Sequence, residues 1–494
     1  MDVTLISLEI GITLTGIIIL LADLWTPSEN KARLGWIAIG GLIAVFCYNF
    51  NTFDQAAAAI NGYSKDGLAV YFQGFFVMAA ILVILLTISY APRVKSGISE
   101  LYALICFALA GMCFAAGANS FTMLFVAVEL ITISFYVLTS FERRRLRSLE
   151  ASIKYLIMGA TSSAIMVFGI ALIYGTTGTL DFNEVSRSLL TPVGPSMQLL
   201  FQIGVILVLG GLAFKLGAIP FQLWVPDVYQ GAPIPVTAFL ASGSKAAGLV
   251  LIIRTLAEAY PALLDQEWLP KLLSIMAGIT ILYGSLCALR QRNLKRLLGY
   301  SSIASAGYIL LGIVCLDNTG SQAVLFYLLG YLFGILAAFT IISVLSEESG
   351  DEDISILANL HHRSPFMATI LTLAIASLAG IPPLAGFLGK FAILRAAFGK
   401  LNDQHSSMPW LIGVALLGIV ISLYYYFKII REIYWGPGLY WKEKKPSTEA
   451  LPCPRSAEIA LLICLFALIG LGLFPETILS LAGEATNNLF SSRP

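Results

Sequence analysis

The chain reads as an all-α integral membrane protein of about fourteen transmembrane helices, built as two inverted five-helix repeats with broken seventh and twelfth helices. Three observations carry this expectation. Of the 494 residues, 58% are hydrophobic and 12% charged, with a mean hydropathy of +0.84, whereas soluble domains carry about 25% charged residues. Runs of about 20 apolar residues, the length that crosses roughly 30 Å of hydrocarbon, recur along almost the whole length. Two of these runs are interrupted by Gly and Pro in corresponding places.

The runs are Leu5 to Trp25, Leu34 to Phe50, Leu68 to Tyr90, Leu101 to Ala118, Phe121 to Phe141, Ile153 to Tyr174 and Leu199 to Trp224. They continue with Val236 to Ala257, Leu272 to Leu289, Leu297 to Leu316, Ala323 to Leu345, Phe366 to Phe398, Leu411 to Tyr434 and Ile459 to Phe474. The first lacks a preceding basic region and is followed by Asp23, Trp25 and Pro27 rather than a small-residue cleavage site, so it reads as a retained helix. A net charge of +1 gives no broad electrostatic surface for nucleic acid. The seven cysteines are scattered singly without metal-ligand spacing and read as small packing residues.

Lys and Arg in short loops concentrate on the cytoplasmic side. Lys31 and Arg33, Arg93 and Lys95, Arg143 to Arg147, Arg290 to Arg296 and Lys442 to Lys445 all follow odd-numbered spans, whereas Asp181 and Glu184 follow an even one. Both termini are therefore expected outside the cytoplasm. The acidic loop Glu347 to Asp353 fits this face less well, although His361, His362 and Arg363 follow it.

The interruptions are Gly217-Ala218-Ile219-Pro220 and Ala379-Gly380-Ile381-Pro382-Pro383. Proline lacks an amide hydrogen and its ring clashes with the preceding turn. A helix broken at membrane depth survives only where protein or a wet cavity satisfies the freed carbonyls, and paired breaks mark the transport pathway of secondary transporters. If the seventh and twelfth spans are equivalent, each repeat holds five helices, and an odd number forces opposite orientations. The expected divisions are 1–98 (three helices), 99–260 and 261–440 (the repeats), and 441–494 (a last helix).

Four ionisable residues lie well inside apolar runs: Glu129, Lys215, Lys245 and Lys390. A lysine at the middle of a spanning helix costs about 2.5–3.5 kcal/mol on insertion scales, which marks it as a functional candidate with a partner to be found. Glu129 is the expected partner of Lys215. The pair reads either as a static lock between helices or as part of a proton relay. Lysine suits the latter because desolvation and a nearby carboxylate move its titration in opposite directions, whereas arginine stays protonated. Lys154 is a weaker relay candidate that reads equally as an interfacial anchor. Asp227 reads as a turn residue or a proton entrance, and Tyr424-Tyr425-Tyr426 with Tyr434 and Trp435 as an interfacial belt or a quinone pocket.

Beyond these residues, the chain closely resembles the antiporter-like subunits of respiratory complex I over nearly its full length. The resemblance rests on Phe214-Lys215-Leu216-Gly217-Ala218-Ile219-Pro220-Phe221-Gln222-Leu223-Trp224-Val225-Pro226-Asp227-Val228-Tyr229, on Tyr300-Ser301-Ser302-Ile303-Ala304, and on Ser377-Leu378-Ala379-Gly380-Ile381-Pro382-Pro383-Leu384-Ala385-Gly386-Phe387. The first and last motifs also resemble Mrp-type cation/proton antiporters, which is the alternative reading. The resemblance implies a proton channel of the bacterial inner membrane, in a hetero-oligomer with other antiporter-like and small hydrophobic membrane-arm subunits. Glu129, Lys215, Lys245 and Lys390 take the positions of the family's fifth-, seventh-, eighth- and twelfth-helix relay residues. A sister subunit tends to carry glutamate where Lys390 stands. Ser305 departs from the histidine that many relatives have there, so a hydroxyl with water would have to bridge that point. No nucleotide loop or metal-ligand cluster occurs in the sequence; by the resemblance, NADH, FMN, iron-sulfur clusters and quinone belong to partner subunits. A passive scaffold is disfavoured, because it has no reason to bear the insertion cost of buried lysines.

Overall fold

In hydrocarbon every backbone amide and carbonyl must be satisfied within the protein, so long apolar runs close into helices. The computed structural model describes residues 3–51, 58–60, 62–94, 96–189, 194–264, 266–315, 317–401, 407–435 and 450–490. Among them, twelve helices are long and apolar enough to cross a membrane. The 17-residue helix Ser7–Asp23 and the broken pair Pro365–Ala379 and Ala385–Gly399 complete fourteen spans. Polar caps start several of them: Asp66 accepts from the Ala69 amide at 2.8 Å, Asn293 from Arg296 at 3.0 Å and Asp317 from Gly320 at 2.8 Å.

The sixth span, Leu146–Thr177, and the eleventh, Asn318–Ser349, each run to 32 residues. At 1.5 Å per residue each is about 48 Å long, well beyond the hydrocarbon layer, so their ends project. They are five spans apart, as the repeat requires. The eighth span, Ile234–Ala259, and the eleventh are buried along their whole apolar length, and the tenth, Leu294–Val314, nearly so. The second and sixth leave most of their apolar surface open to lipid or neighbouring subunits.

Both breaks close in the same way. Gly217 (φ +69°) and Gly380 (φ +90°) adopt the left-handed conformation that favours glycine. The next amide reaches back five residues in each case, Ala218 to the Ala213 carbonyl and Ile381 to the Ala376 carbonyl, both at 3.0 Å. The seventh span resumes as Trp224–Gly231 and the twelfth as Ala385–Gly399. At the second break the two halves lie so close that a Cβ on Gly386 would meet the Ser377 carbonyl oxygen at 1.8 Å.

Two elements were not among the expected spans. An antiparallel hairpin, β1 (Ala58–Ile60) with β2 (Tyr63–Lys65), fills the loop between the second and third spans. A further helix, Pro475–Phe490, follows the last span, Arg455–Leu473. Its apolar residues sit among Glu476, Glu484 and Thr486, which hid it from a search for uniform apolar runs.

The loops gather on two faces. On one, Tyr63 bridges to Ala118 and Ser120 to Asp181. On the other, Arg145 pairs with Glu352 at 3.2 Å, Glu352 with Lys295 at 2.9 Å, and Asn293 bridges to Asp353. This resolves the acidic loop: Glu352 neutralises Arg145 and Lys295, Glu347 faces Arg93 at 3.9 Å, and Glu348 pairs with Arg363. Burial alone would push the Glu352 carboxyl up, but Lys295 and Arg145 outweigh it and hold the group below its usual range. Lys95 and Lys442 to Lys445 lie outside the described residues.

Candidate functional site

Lys215, Lys245 and Lys390 are buried and Glu129 half-buried, each held by a different neighbouring element. Lys215 ends the first half of the broken seventh span, Pro195–Leu216. Its ammonium donates to the Thr132 hydroxyl on the fifth span, Phe121–Thr139, and Thr132 in turn donates to the Val128 carbonyl at 2.5 Å. Glu129, one helical turn before Thr132, accepts from Ser163 on the sixth span at 2.5 Å. No direct ion pair joins Glu129 and Lys215 among the described residues, although the glutamate charge reaches the lysine through space. The reason is geometric. Lys215 approaches the fifth span at the level of Thr132, while Glu129 turns towards the sixth.

Lys245 lies on the buried eighth span, directly after a wide π-helical turn, Leu240–Ser244. Such turns are common at functional sites. Its Nζ donates to the Ser302 carbonyl at 2.6 Å and the Ser302 hydroxyl at 2.5 Å, and lies 4.8 Å from the centre of the Tyr331 ring. Tyr229 shares the Ser302 hydroxyl at 3.0 Å.

Lys390 lies beyond the second break and turns back on it. Its Nζ donates to the Leu378 and Ala379 carbonyls at 2.8 and 3.1 Å and lies 5.3 Å from the centre of the Tyr308 ring. These are carbonyls that the end of a helix leaves without amide partners. At the first break the Trp224 indole donates to the Phe214 carbonyl at 3.2 Å, which also accepts from the Gly217 amide at 3.0 Å. The two lysines near the breaks are therefore not equivalent. Setting Gly217 against Gly380 places Asp227, not Lys215, opposite Lys390.

Lys154 is 42% exposed and joins no buried group; it pairs with Asp227 at 2.7 Å and Glu150 at 2.8 Å. Asp227 also pairs with Arg296 at 2.6 Å. This corrects the turn reading of Asp227, which sits within the helix Trp224–Gly231 and links the sixth, seventh and tenth spans. A pocket of about 150 Å³ opens beside it.

The tyrosine run is corrected as well. Tyr424 and Trp435 are exposed, but Tyr425 and Tyr426 are buried, and Tyr426 shares a hydrogen bond with Ser301. Neither an interfacial belt nor an open quinone pocket describes them. Ser305 donates to the Ser301 carbonyl of its own helix at 2.9 Å.

Buried charges also escaped the sequence reading as functional candidates. Glu9, Arg254 and Lys295 are fully buried. Glu9 lies inside the first apolar run, Arg254 near the end of the eighth, and Lys295 in the basic stretch Arg290 to Arg296 before the tenth. No cluster of three or more metal-ligating side chains occurs among the described residues.

Residues 118–422 match the model of the family described as NADH:quinone oxidoreductase/Mrp antiporter, TM. NADH-quinone oxidoreductase subunit N of Trichlorobacter lovleyi is 36% identical over 490 residues, covering 98% of this chain and 97% of that one. The chain belongs to the NADH-quinone oxidoreductase subunit N family. Subunit N of Desulforamulus reducens is 34% identical over 98% of both chains. A chain of respiratory complex I from Thermus thermophilus superposes with a TM-score of 0.78 at 30% identity, covering 96% of this chain and 99% of that one. A chain of the Mrp complex from Dietzia sp. gives 0.79 at 20% identity, covering 99% and 98%, a likeness of fold alone. The family is one of multi-pass membrane proteins, and the Mrp-type reading has less support than the subunit N reading.

Proposed function

We propose that this chain is a proton-translocating membrane-arm subunit of an NADH-quinone oxidoreductase. Its partners would be other antiporter-like and small hydrophobic membrane subunits, with NADH, FMN, iron-sulfur and quinone chemistry carried elsewhere in the complex. One observation carries the reading: Lys215 and Lys245 are buried against hydroxyls rather than locked to carboxylates. A carboxylate is an acceptor only, so it would hold an ammonium fixed. A hydroxyl both donates and accepts, and therefore bonds the ammonium and the neutral amine in turn. Thr132 and Ser302 let each lysine give up and regain its proton without leaving a buried polar group unpaired.

In this reading Glu129 biases Lys215 through space, Lys245 links the first repeat to the second through Ser302, and Lys390 ends the row at the second break. Lys154, Asp227 and Arg296 form the surface entrance at the broken seventh span. The repeats are assigned to 99–260 and 261–440. The face bearing Arg145 is assigned to the cytoplasm, with Asp181 and both termini on the other side. A single cysteine at position 145 should react with impermeant reagent from the cytoplasmic side and one at 181 from the other; access from the opposite side at each would sink this assignment.

The relay itself is tested with Lys245→Ala in the intact complex. Proton pumping driven by NADH should fall to background while the complex still assembles, since Ser302 keeps Tyr229 as a partner. Pumping at the unmodified rate would remove Lys245 from the path.

A further inference from the structure

Glu9 is a carboxylate that the relay does not use. It stands one turn into the first span, fully buried, where Oε1 accepts from the Tyr63 hydroxyl at 2.6 Å and from the Gln73 amide at 3.0 Å. Its other oxygen, Oε2, is buried without a hydrogen-bond partner among the described residues. Nearly all buried polar atoms in folded proteins are satisfied, so an open carboxylate oxygen points to a small ligand, a proton or a water. A carboxylate that only pinned the first span to the third would have no need of an open oxygen.

The surroundings decide which ligand fits. Lys65, on β2, is buried within reach of the Glu9 charge. Its positive charge disfavours a metal cation at the same carboxylate. Burial pulls the Lys65 ammonium below its usual value, and the nearby Glu9 carboxylate opposes that effect. Cys113 on the fourth span also lies within electrostatic reach of Glu9.

A line of charged groups leads outward from this site. The Arg254 charge reaches Tyr63. Arg254 is fully buried and pairs with Asp66 and Glu258, both at 2.6 Å; these carboxylates are 26% and 17% exposed. Asp66 follows Lys65 directly, and Asp181 lies within electrostatic reach of Glu258, on the same face.

Building on the proton-translocating reading, we propose that Glu9, Tyr63 and Lys65 form a proton-holding site beneath the face that carries Asp181, from which Asp66 and Glu258 pass the proton to water. The step moves a proton alone. Glu9 binds it at Oε2, Lys65 or an intervening water takes it up, and the partly exposed carboxylates of Asp66 and Glu258 release it.

The test uses the intact complex in sealed vesicles. Glu9→Gln keeps an oxygen that accepts from Tyr63 and Gln73 and removes only the titrating group. The complex should assemble, NADH-driven pumping should fall several-fold, and a carboxylic-acid carbonyl band should vanish from the infrared difference spectrum taken during turnover. Pumping as in the unmodified complex with an unchanged spectrum overturns the site. Lys245→Ala, measured beside it, separates the two readings: if it abolishes pumping while E9Q does not, the relay stands and the Glu9 site falls. If neither variant impairs pumping, both fall. Should E9Q fail to assemble, Tyr63→Phe provides the second reading, with reduced pumping in an assembled complex expected. Loss of assembly in both variants overturns the proposal by showing that the cluster only pins helices.

Discussion

An intact complex carrying Lys215→Ala should assemble normally, pump no protons above background, and reduce quinone more slowly because the redox reaction is coupled to the blocked step. Assembly is expected to survive for a local reason. The ammonium is held by one hydroxyl, and Thr132 keeps its own bond to the Val128 carbonyl when the lysine is removed. The hydrogen bond lost is one made by a charged group, worth about 1.5–3 kcal/mol, and Thr132 is left with a partner. A lock between Lys215 and Glu129 would behave otherwise: the single variant would fail to assemble, and replacing both residues with apolar ones would restore it. With no direct contact between them, such rescue is not expected. Recovery of pumping in the double variant would show that the pair carries no protons.

Arg254→Met should have the largest effect on stability. The guanidinium is 0% exposed and holds Asp66, Glu258 and, at 2.5 Å, the Ala116 carbonyl, tying the eighth span to the start of the third and the end of the fourth. Its removal leaves two carboxylates facing one another with their cation gone, and breaking a buried pair in this way costs about 3–5 kcal/mol. The subunit should be scarce in membranes, and the complex isolated from them should unfold at a lower temperature than the unmodified one. Unchanged abundance and unfolding temperature would mean that water already carries these carboxylates.

The two effects differ because they fall on differently built charges, a distinction only partly legible in the sequence. Span number, the two breaks and the candidates Lys215, Lys245 and Lys390 could be read directly, since length, Gly/Pro interruption and a charge in an apolar run need no knowledge of the partner helices. Pairings could not. Most spans are apolar all round, so no polar stripe records which side faces which neighbour. Glu129 and Lys215 were matched by charge, and their charges do act on one another, but the fold gives the ammonium Thr132 and the carboxylate Ser163 as hydrogen-bond partners. The same blindness hid Tyr425 and Tyr426, placed at an interface by composition and in the interior by the rotation of their helix. Lys154 was visible, but its distance from the interior depended on how far the sixth span projects. The acidic loop around Glu352 looked misplaced until its basic partners, distant in sequence, met it on the same face.

The central claim is that Lys215 acts by releasing and regaining a proton, not by carrying a fixed charge. Lys215→Arg separates these, since arginine keeps the positive charge and remains protonated at every accessible pH. The measurement is the number of protons pumped per NADH oxidised by the reconstituted complex. The relay predicts an assembled complex whose ratio drops as far as that of Lys215→Ala; an unchanged ratio with arginine in place would contradict it.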